Sequence, residues 1–263
     1  MRGRVKGVRS VVRRAAASGT RAALRRAGLR IVRDSVPPAA RGSKLYPDVW
    51  ERVAPFTMTD AARIEALYAC TMQIVANDVP GDLVECGVFR GGSSMTMALA
   101  LLATGAERDI WLYDTYSGMT APTPFDTRLN GGAPAEEEFL RLRTGRNSSE
   151  WCAASLDEVA LNIRSTGYPT NRIRFVKGPV EETLLETCPE KIALLRLDTD
   201  WYESTRAEMT VLFPRLSPGG VLIVDDYNAW AGARRAVDEY LEEHRLKLMF
   251  FPIGGGSVMT VVG

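Results

Sequence analysis

The sequence predicts an α/β fold with a mainly parallel, seven-stranded sheet that is covered by helices on both faces. Short apolar segments of strand length alternate with amphipathic helical segments from about residue 57 onward, which is the pattern of a doubly wound, Rossmann-like sheet. Acidic residues follow several of the predicted strands. Because ligands bind at the carboxyl ends of the strands in such sheets, these acids are candidates for a functional site.

The elements are assigned from apolar spacing and from residues that start or stop helices. The first helix spans residues 57–78 and has Thr59 or Asp60 as its candidate N-cap. A helix over 148–167 has Ser148 or Ser149 in that role, whereas residues 117–139 carry three prolines and predict a long loop. The strands are expected within residues 81–89, 109–116, 171–180, 191–200 and 217–227, with an antiparallel hairpin over 246–263; further helices are expected after the turn at 90–92, near 203–216 and over 231–245.

Residues 1–45 predict a basic extension with a linker or lid, ahead of an α/β domain over residues 46–263. The first 33 residues contain eleven arginines or lysines and no acid. Ala, Leu and Val recur among them at helical spacing, so residues 8–34 predict one or two basic amphipathic helices. We expect these helices to pack on a second copy of the chain in a homodimer. Binding to a membrane surface or a polyanion, and partial disorder, are the alternatives.

The composition excludes several classes of function. A net charge of +1 predicts no general affinity for nucleic acid or membrane. The four cysteines form no CxxC pair, no apolar run approaches the ~20 residues of a membrane span, and the N-terminus lacks a signal-peptide core, so we expect a cytoplasmic protein. His244 is the only histidine and lies in a charged helix, which favours Asp, Glu, Lys or Tyr as any general base.

A glycine-rich turn follows the first strand in the segment VECGVFRGGSS. Glu85 ends the strand, and Gly87, Gly91 and Gly92 allow a ligand to approach the backbone closely. The turn lacks both the GxGxxG spacing and the GK[ST] of a phosphate-binding loop. Asp114 ends the second strand, where an acid typically accepts hydrogen bonds from a ribose. These features predict an adenosine-containing cofactor, and S-adenosylmethionine fits better than NAD because the pyrophosphate fingerprint is absent.

Two later strands end in pairs of aspartates, Asp198 with Asp200 and Asp225 with Asp226. Three carboxylates close together repel one another unless a cation lies between them, so Asp198, Asp225 and Asp226 predict a Mg²⁺ site. If the strand continues, Asp200 lies on the same side as Asp198 and is a candidate general base. Capping of the following helix is the alternative role for Asp200.

Five motifs, taken in order, make the sequence resemble the sugar O-methyltransferases of antibiotic biosynthesis. The motifs are VPGDLVECGVFRGG, YDTYSGM, RFVKGPVEETL, LLRLDTDWYEST and LSPGGVLIVDDY. The family includes the macrocin and mycinamicin O-methyltransferases of macrolide biosynthesis and the noviosyl O-methyltransferase of aminocoumarin biosynthesis, and the likeness runs from about residue 55 to the end. It implies a class I S-adenosylmethionine-dependent fold, Mg²⁺ as a second cofactor, and methylation of a deoxysugar hydroxyl on a glycosylated small molecule.

The resemblance also implies roles for individual residues. Asp198, Asp225 and Asp226 match the metal ligands, and Asp200 or Asp198 matches the general base. The residues that match the cofactor site are Glu85, Gly87, Arg90, Gly91 and Gly92 at the methionine end, Asp114 with Ser117 and Gly118 near the ribose, Gly178 and Val180 at the adenine, and Met58 as a lid.

Three alternatives stay open at this point. A catechol-type O-methyltransferase acting on a phenol has a lysine base three residues beyond its first metal-binding aspartate, where this sequence has Trp201. An NAD-dependent oxidoreductase is disfavoured by the absent GxGxxG spacing. A non-enzymatic scaffold would bind membrane or polyanion through the basic N-terminal helices.

Overall fold

The computed structural model of the chain describes residues 45–131 and 134–263. The basic helices predicted over residues 8–34, and the homodimer contact expected of them, lie outside these ranges. No helix within the described ranges is long and apolar enough to cross a membrane.

Seven strands form one sheet. The strands are β1 (Asp82–Cys86), β2 (Ile110–Asp114), β3 (Ile173–Lys177), β4 (Ile192–Leu197), β5 (Leu216–Val224), β6 (Phe251–Gly254) and β7 (Ser257–Val261). Their order across the sheet is β3-β2-β1-β4-β5-β7-β6. The first five strands are parallel, β7 is antiparallel to β5, and β6 is antiparallel to β7. The predicted seven-stranded sheet and its terminal hairpin are thereby confirmed.

Helices cover both faces of this sheet. They are α1 (Leu45–Val53), α2 (Ala61–Ala76), α3 (Gly92–Thr104), α4 (Ala135–Leu142), α5 (Leu156–Arg164), α6 (Val180–Glu186), α7 (Tyr202–Val211) and α8 (Ala231–Glu243). Successive residues of a strand point to opposite faces, so Leu83 joins one apolar cluster with α2, α3 and α5, while Val84 joins the other with α7 and α8. The strands are therefore buried on both sides, as parallel strands usually are.

The structure differs from the expected elements at two loops and has two helices, α1 and α6, that were not expected. Helix α4 begins inside the segment predicted to be a loop and extends three residues beyond it; Pro134 directly precedes the helix, a position where proline is tolerated. Helix α5 begins at Leu156 rather than near residue 148, and its N-cap is Ser155, whose hydroxyl accepts the Glu158 N–H at 3.2 Å. The cap predicted for the first helix is confirmed at Asp60, which accepts the Arg63 N–H at 3.0 Å.

Candidate active site

A cavity of about 650 Å³ lies at the carboxyl ends of the central strands. Parallel strands bring their carboxyl ends to one edge of the sheet, and side chains that are distant in sequence meet there. The predicted residues that line the cavity are Met58, Glu85, Gly87, Asp114, Gly118, Gly178, Val180, Asp198, Asp200, Asp225 and Asp226. The predicted cofactor residues that do not line it are Arg90, Gly91, Gly92 and Ser117.

Arg196, near the end of β4, occupies the centre of the acidic residues and is only 2% exposed. Its Nη1 donates to Oε1 of Glu85 and to Oδ2 of Asp198, and its Nη2 donates to Oδ1 of Asp225, each at 2.7 Å. Burial lowers the pKa of Arg196, but the surrounding carboxylates raise it well above its ordinary value. A permanently charged guanidinium therefore balances acids that we expected a metal to balance.

Asp225 is held by two arginines. Its Oδ1 accepts from Arg196 and its Oδ2 from Arg63, whose position on α2 places it over the end of β5. Burial raises the pKa of Asp225, but the two guanidinium groups outweigh it and hold the pKa below its ordinary value. Both carboxylate oxygens are thus already engaged.

The carboxylates that come together are those of Asp198, Asp200 and Asp226, whose oxygens lie within 4.8 Å of one another. This group, called the acid triad below, differs from the predicted metal set because Asp200 takes the place of Asp225. Burial raises the pKa of Asp200 to about 7, and burial with the charge of Asp200 raises the pKa of Asp226 well above its ordinary value. The two side chains interact directly, so the protonation of one affects the protonation of the other.

Asp200 does not cap α7. The helix begins at Tyr202, and its N–H donates to Oδ1 of Asp126 at 2.7 Å, so the cap comes from the loop after β2. Asp200 has a left-handed backbone with φ of 68°, an uncommon conformation for a residue other than glycine. Such strain is often found at functional sites, where the surrounding structure holds the side chain in one direction.

The glycine-rich turn packs against protein backbone as well as the cavity. A Cβ on Gly87 would lie 2.0 Å from the carbonyl oxygen of Asp198, and a Cβ on Gly92 would lie 2.6 Å from Thr57 Cβ. These glycines are therefore required by the close approach of neighbouring segments. Arg90 points to the outside of the turn, where Nε donates to Glu158 at 2.6 Å.

Asp114 lines the cavity and also braces the turn. Its Oδ2 accepts the N–H groups of Val88 and Phe89 at 2.7 and 3.2 Å, and its Oδ1 accepts the N–H of Tyr116 at 2.7 Å. Burial raises the pKa of this carboxyl, and the three backbone hydrogen bonds oppose the rise. The ribose role stays a prediction.

Several side chains at the site were not predicted. Arg196 left a signal in the sequence, because an arginine within a buried apolar strand requires acidic partners. Glu208 on α7 is fully buried, and its Oε1 accepts from Thr199 Oγ1 at 2.9 Å. The cavity residues Arg128, Trp151 and Trp230 come from loops or from the edge of a helix and left no periodic signal.

His244 plays no part in the cavity, as expected. It follows the last turn of α8, is exposed, and stacks on Tyr240 with ring centroids 4.0 Å apart.

Comparisons with known proteins identify the family. Residues 37–259 match the family described as macrocin-O-methyltransferase (TylF). The chain is 37% identical over 210 residues, covering 80% of it and 76% of the relative, to 8-demethyl-8-(2,3-dimethoxy-alpha-L-rhamnosyl)-tetracenomycin-C 4'-O-methyltransferase of Streptomyces olivaceus. It is 36% identical over 185 residues, 70% of this chain and 67% of the relative, to demethyldecarbamoylnovobiocin O-methyltransferase of Streptomyces niveus.

The fold agrees with these sequence relatives. The structure of the O-methyltransferase NovP matches with a TM-score of 0.69 and 32% identity, over 79% of this chain and 82% of NovP. The architecture is that of class I S-adenosylmethionine-dependent methyltransferases. The chain belongs to the macrocin-O-methyltransferase (TylF) family of O-methyltransferases.

Proposed function

We propose that this enzyme transfers the methyl group of S-adenosylmethionine to a hydroxyl of a deoxysugar carried by a glycosylated small molecule, with Mg²⁺ as second cofactor. The observation that carries the proposal is the acid triad beside a cavity that is lined by the predicted cofactor residues. The two relatives named above, one of which is named for a rhamnosyl-tetracenomycin, support a sugar of an antibiotic as the acceptor.

The proposed cofactor residues are the seven that line the cavity. Glu85 would receive the amino group of the methionine portion, because its carboxylate is fully buried and oriented by Arg196 and by Ser94 Oγ. Asp114 would receive the ribose, and the turn at Gly178 and Val180 would border the adenine. Arg90, Gly91, Gly92 and Ser117 lie outside the lining, and their roles stay predictions.

Mg²⁺ fits the acid triad of Asp198, Asp200 and Asp226. Carboxylate oxygens are the ligands that this hard cation prefers, and Oδ2 of Asp226 is buried without a hydrogen-bond partner among the described residues. The raised pKa values of the triad reflect buried acids without enough nearby positive charge. Asp225 would hold Arg196 and Arg63 in place instead of contacting the metal.

Asp200 is the proposed general base. Asp198 is bound by Arg196 at 2.7 Å, whereas Asp200 makes no salt bridge to a described arginine, so its carboxylate is the freer of the two to accept a proton. Its carboxylate would take the proton of the acceptor hydroxyl. When bound, S-adenosylmethionine supplies an activated methyl group and Mg²⁺ supplies charge that favours the deprotonated hydroxyl. The chain contributes mainly by positioning.

The two enzyme alternatives lack support at the site. At the position of the catechol-type lysine, the Trp201 indole is 2% exposed and donates Nε1–H to the Thr120 carbonyl at 3.1 Å, so it supplies no base. The turn after β1 has no pyrophosphate-binding spacing for NAD. The proposal also includes a cytoplasmic location and a homodimer. Light scattering of the purified full chain tests the homodimer.

The experiment is a methyl-transfer assay with purified enzyme, isotopically labelled S-adenosylmethionine and a panel of glycosylated antibiotics that lack one sugar O-methyl group. Transfer of label to a sugar hydroxyl, abolished by EDTA and restored by Mg²⁺, is expected. Label on a phenolic hydroxyl, or transfer that EDTA does not change, would refute the acceptor class or the metal respectively.

A further inference from the structure

A second wall of the cavity, formed by Trp151, Trp230 and Arg128, has no part in the chemistry above. The Trp151 and Trp230 ring centroids lie 6.2 Å apart, and the Arg128 guanidinium lies 4.3 Å from the Trp230 centroid and 5.9 Å from that of Trp151. Trp201 packs edge-on against both indoles from behind. Trp230 is only 4% exposed, so Trp151 and Arg128 present most of this wall to the cavity.

Backbone hydrogen bonds fix both residues. The N–H of Leu129 donates to the carbonyl of Ala229 at 2.9 Å, and the N–H of Ala231 donates to that of Thr127 at 2.8 Å, which sets Arg128 over Trp230. Trp151 is fixed because its carbonyl accepts the Met119 N–H at 2.9 Å. The backbone that carries both side chains is thus fixed before a ligand binds.

The wall adjoins the acid triad. Trp201 directly follows Asp200 in the chain, and the Trp230 N–H donates to the carbonyl of Asp226 at 3.0 Å. The ring centroids of Trp151 and Trp201 lie 5.6 Å apart. A molecule resting on Trp151 and Arg128 therefore lies next to the proposed general base.

The charges of the cavity favour a neutral molecule at this place. Arg63 and Arg196 are both paired with carboxylates, whereas the Arg128 guanidinium makes no salt bridge to a described residue. Carboxyl groups outnumber arginines in the lining. A diphosphate typically needs several cationic hydrogen-bond donors. In this cavity it would contact one unpaired arginine and lie close to many carboxylates, which would repel it.

We propose that Trp151 and Arg128 form the subsite for the sugar ring of a neutral glycoside. The C–H face of the ring stacks on the Trp151 indole, whose negative π face attracts it, and the Arg128 N–H groups donate to its oxygens. This inference rests on the proposed function. It places methylation after the sugar has been transferred to its scaffold. A glycosyl-transfer reaction must therefore supply the acceptor.

Saturation-transfer NMR tests the subsite on the full-length protein with S-adenosylhomocysteine and Mg²⁺ present. The probes are phenyl α-L-rhamnoside, a neutral deoxyglycoside, and dTDP-L-rhamnose, its diphosphate counterpart. The variants are Trp151→Leu, Trp151→Phe and Arg128→Met. Arg234→Met is the matched control, because that guanidinium stacks 5.2 Å from Tyr227 outside the cavity lining. Affinity for S-adenosylhomocysteine, measured by calorimetry, reports folding of every variant.

Wild type is expected to transfer saturation to the sugar C–H protons of the rhamnoside and to bind it more tightly than the nucleotide sugar. Trp151→Leu and Arg128→Met should weaken rhamnoside binding by about fivefold or more, with Trp151→Phe in between. Unchanged affinity in these variants, no transfer to the sugar protons, or tighter binding of dTDP-L-rhamnose would overturn the subsite. If Trp151→Leu no longer binds S-adenosylhomocysteine, that variant is not used, and the affinities of Trp151→Phe and Arg128→Met for the rhamnoside test the subsite. A wild type that does not bind S-adenosylhomocysteine would instead overturn the proposed function.

Discussion

Arg196 donates a 2.7 Å hydrogen bond from Nη1 to Oε1 of Glu85, and the two residues lie directly opposite each other in the register of β4 and β1. The same Nη1 also donates to Asp198. One guanidinium thus joins the proposed methionine end of the cofactor site to the acid triad. Loss of the Arg196 guanidinium would leave buried carboxylates without a partner, and uncompensated buried charges strongly destabilise a folded protein.

Arg196→Met is expected to lower the free energy of unfolding by about 3–5 kcal/mol, because it breaks a buried ion network and leaves its acids uncompensated. Arg196→Lys keeps the positive charge but not the planar guanidinium that donates to several carboxylates, so its free energy of unfolding should lie between those of wild type and Arg196→Met. Urea unfolding measures both. Arg141→Met, which breaks an exposed pair with Glu138, is the control and should leave the midpoint nearly unchanged. Equal midpoints for Arg196→Met and the control would contradict this account.

Asp226→Asn and Asp225→Asn are expected to separate metal binding from stability. Asp226 belongs to the acid triad, so its amide should raise the Mg²⁺ concentration for half-maximal activity by more than about tenfold. Asp225 pairs with Arg63 and Arg196, so its amide should mainly lower the unfolding midpoint. Mg²⁺ titration of activity and thermal unfolding are measured on both. The opposite pattern would restore the metal set expected from the sequence.

Asp200→Asn is expected to lower kcat by about 100-fold or more at saturating Mg²⁺, because asparagine cannot take the proton of the acceptor. Binding of S-adenosylhomocysteine should be unchanged, since no predicted cofactor contact is altered. Single-turnover methyl transfer and calorimetry measure the two properties. Wild-type turnover in this variant would exclude Asp200 as the base.

Glu208→Gln is expected to change how stability depends on pH. Burial raises the pKa of Glu208 well above its ordinary value of 4.5, so the folded protein keeps a proton that the unfolded chain releases. The stabilisation is complete below the unfolded pKa and is lost, by about 1.4 kcal/mol per pH unit, as pH rises toward the folded pKa. Glutamine does not ionise and still offers Thr199 an acceptor.

The variant minus wild-type difference in the free energy of unfolding should therefore grow as pH rises above about 4.5. Urea unfolding of both proteins across this range gives the difference directly. A difference that stays flat would mean that Glu208 is ionised in the folded protein.

The sheet can be predicted from sequence because strand-length apolar runs alternate with helical spacing, and parallel strands leave little freedom in where their ends meet. The gathering of Glu85, Asp114 and the aspartate pairs at one edge follows from that geometry. The pairing of Asp225 with Arg196 follows from the same geometry. Along β5, Asp225 follows Ile223, the register partner of Arg196, at an interval of two, so it shares the face of Arg196 while Asp226 turns away.

The loop side of the cavity has no comparable pattern. Trp151 precedes α5 in a segment predicted to be helical, where Cys152 has a left-handed backbone with φ of 52°. Its position depends on backbone pairing with residues 117–119, a contact between segments about thirty residues apart. Arg128 likewise depends on pairing with residues near Trp230. Contacts of this kind leave no local periodicity from which to predict them.

The central claim is most directly tested by calorimetric titration of the purified protein with S-adenosylhomocysteine, with Mg²⁺ or EDTA, and with NAD as the control ligand. Saturable binding of S-adenosylhomocysteine and none of NAD is the result this account predicts. Absence of S-adenosylhomocysteine binding under both conditions, by a protein that thermal unfolding shows to be folded, would contradict it.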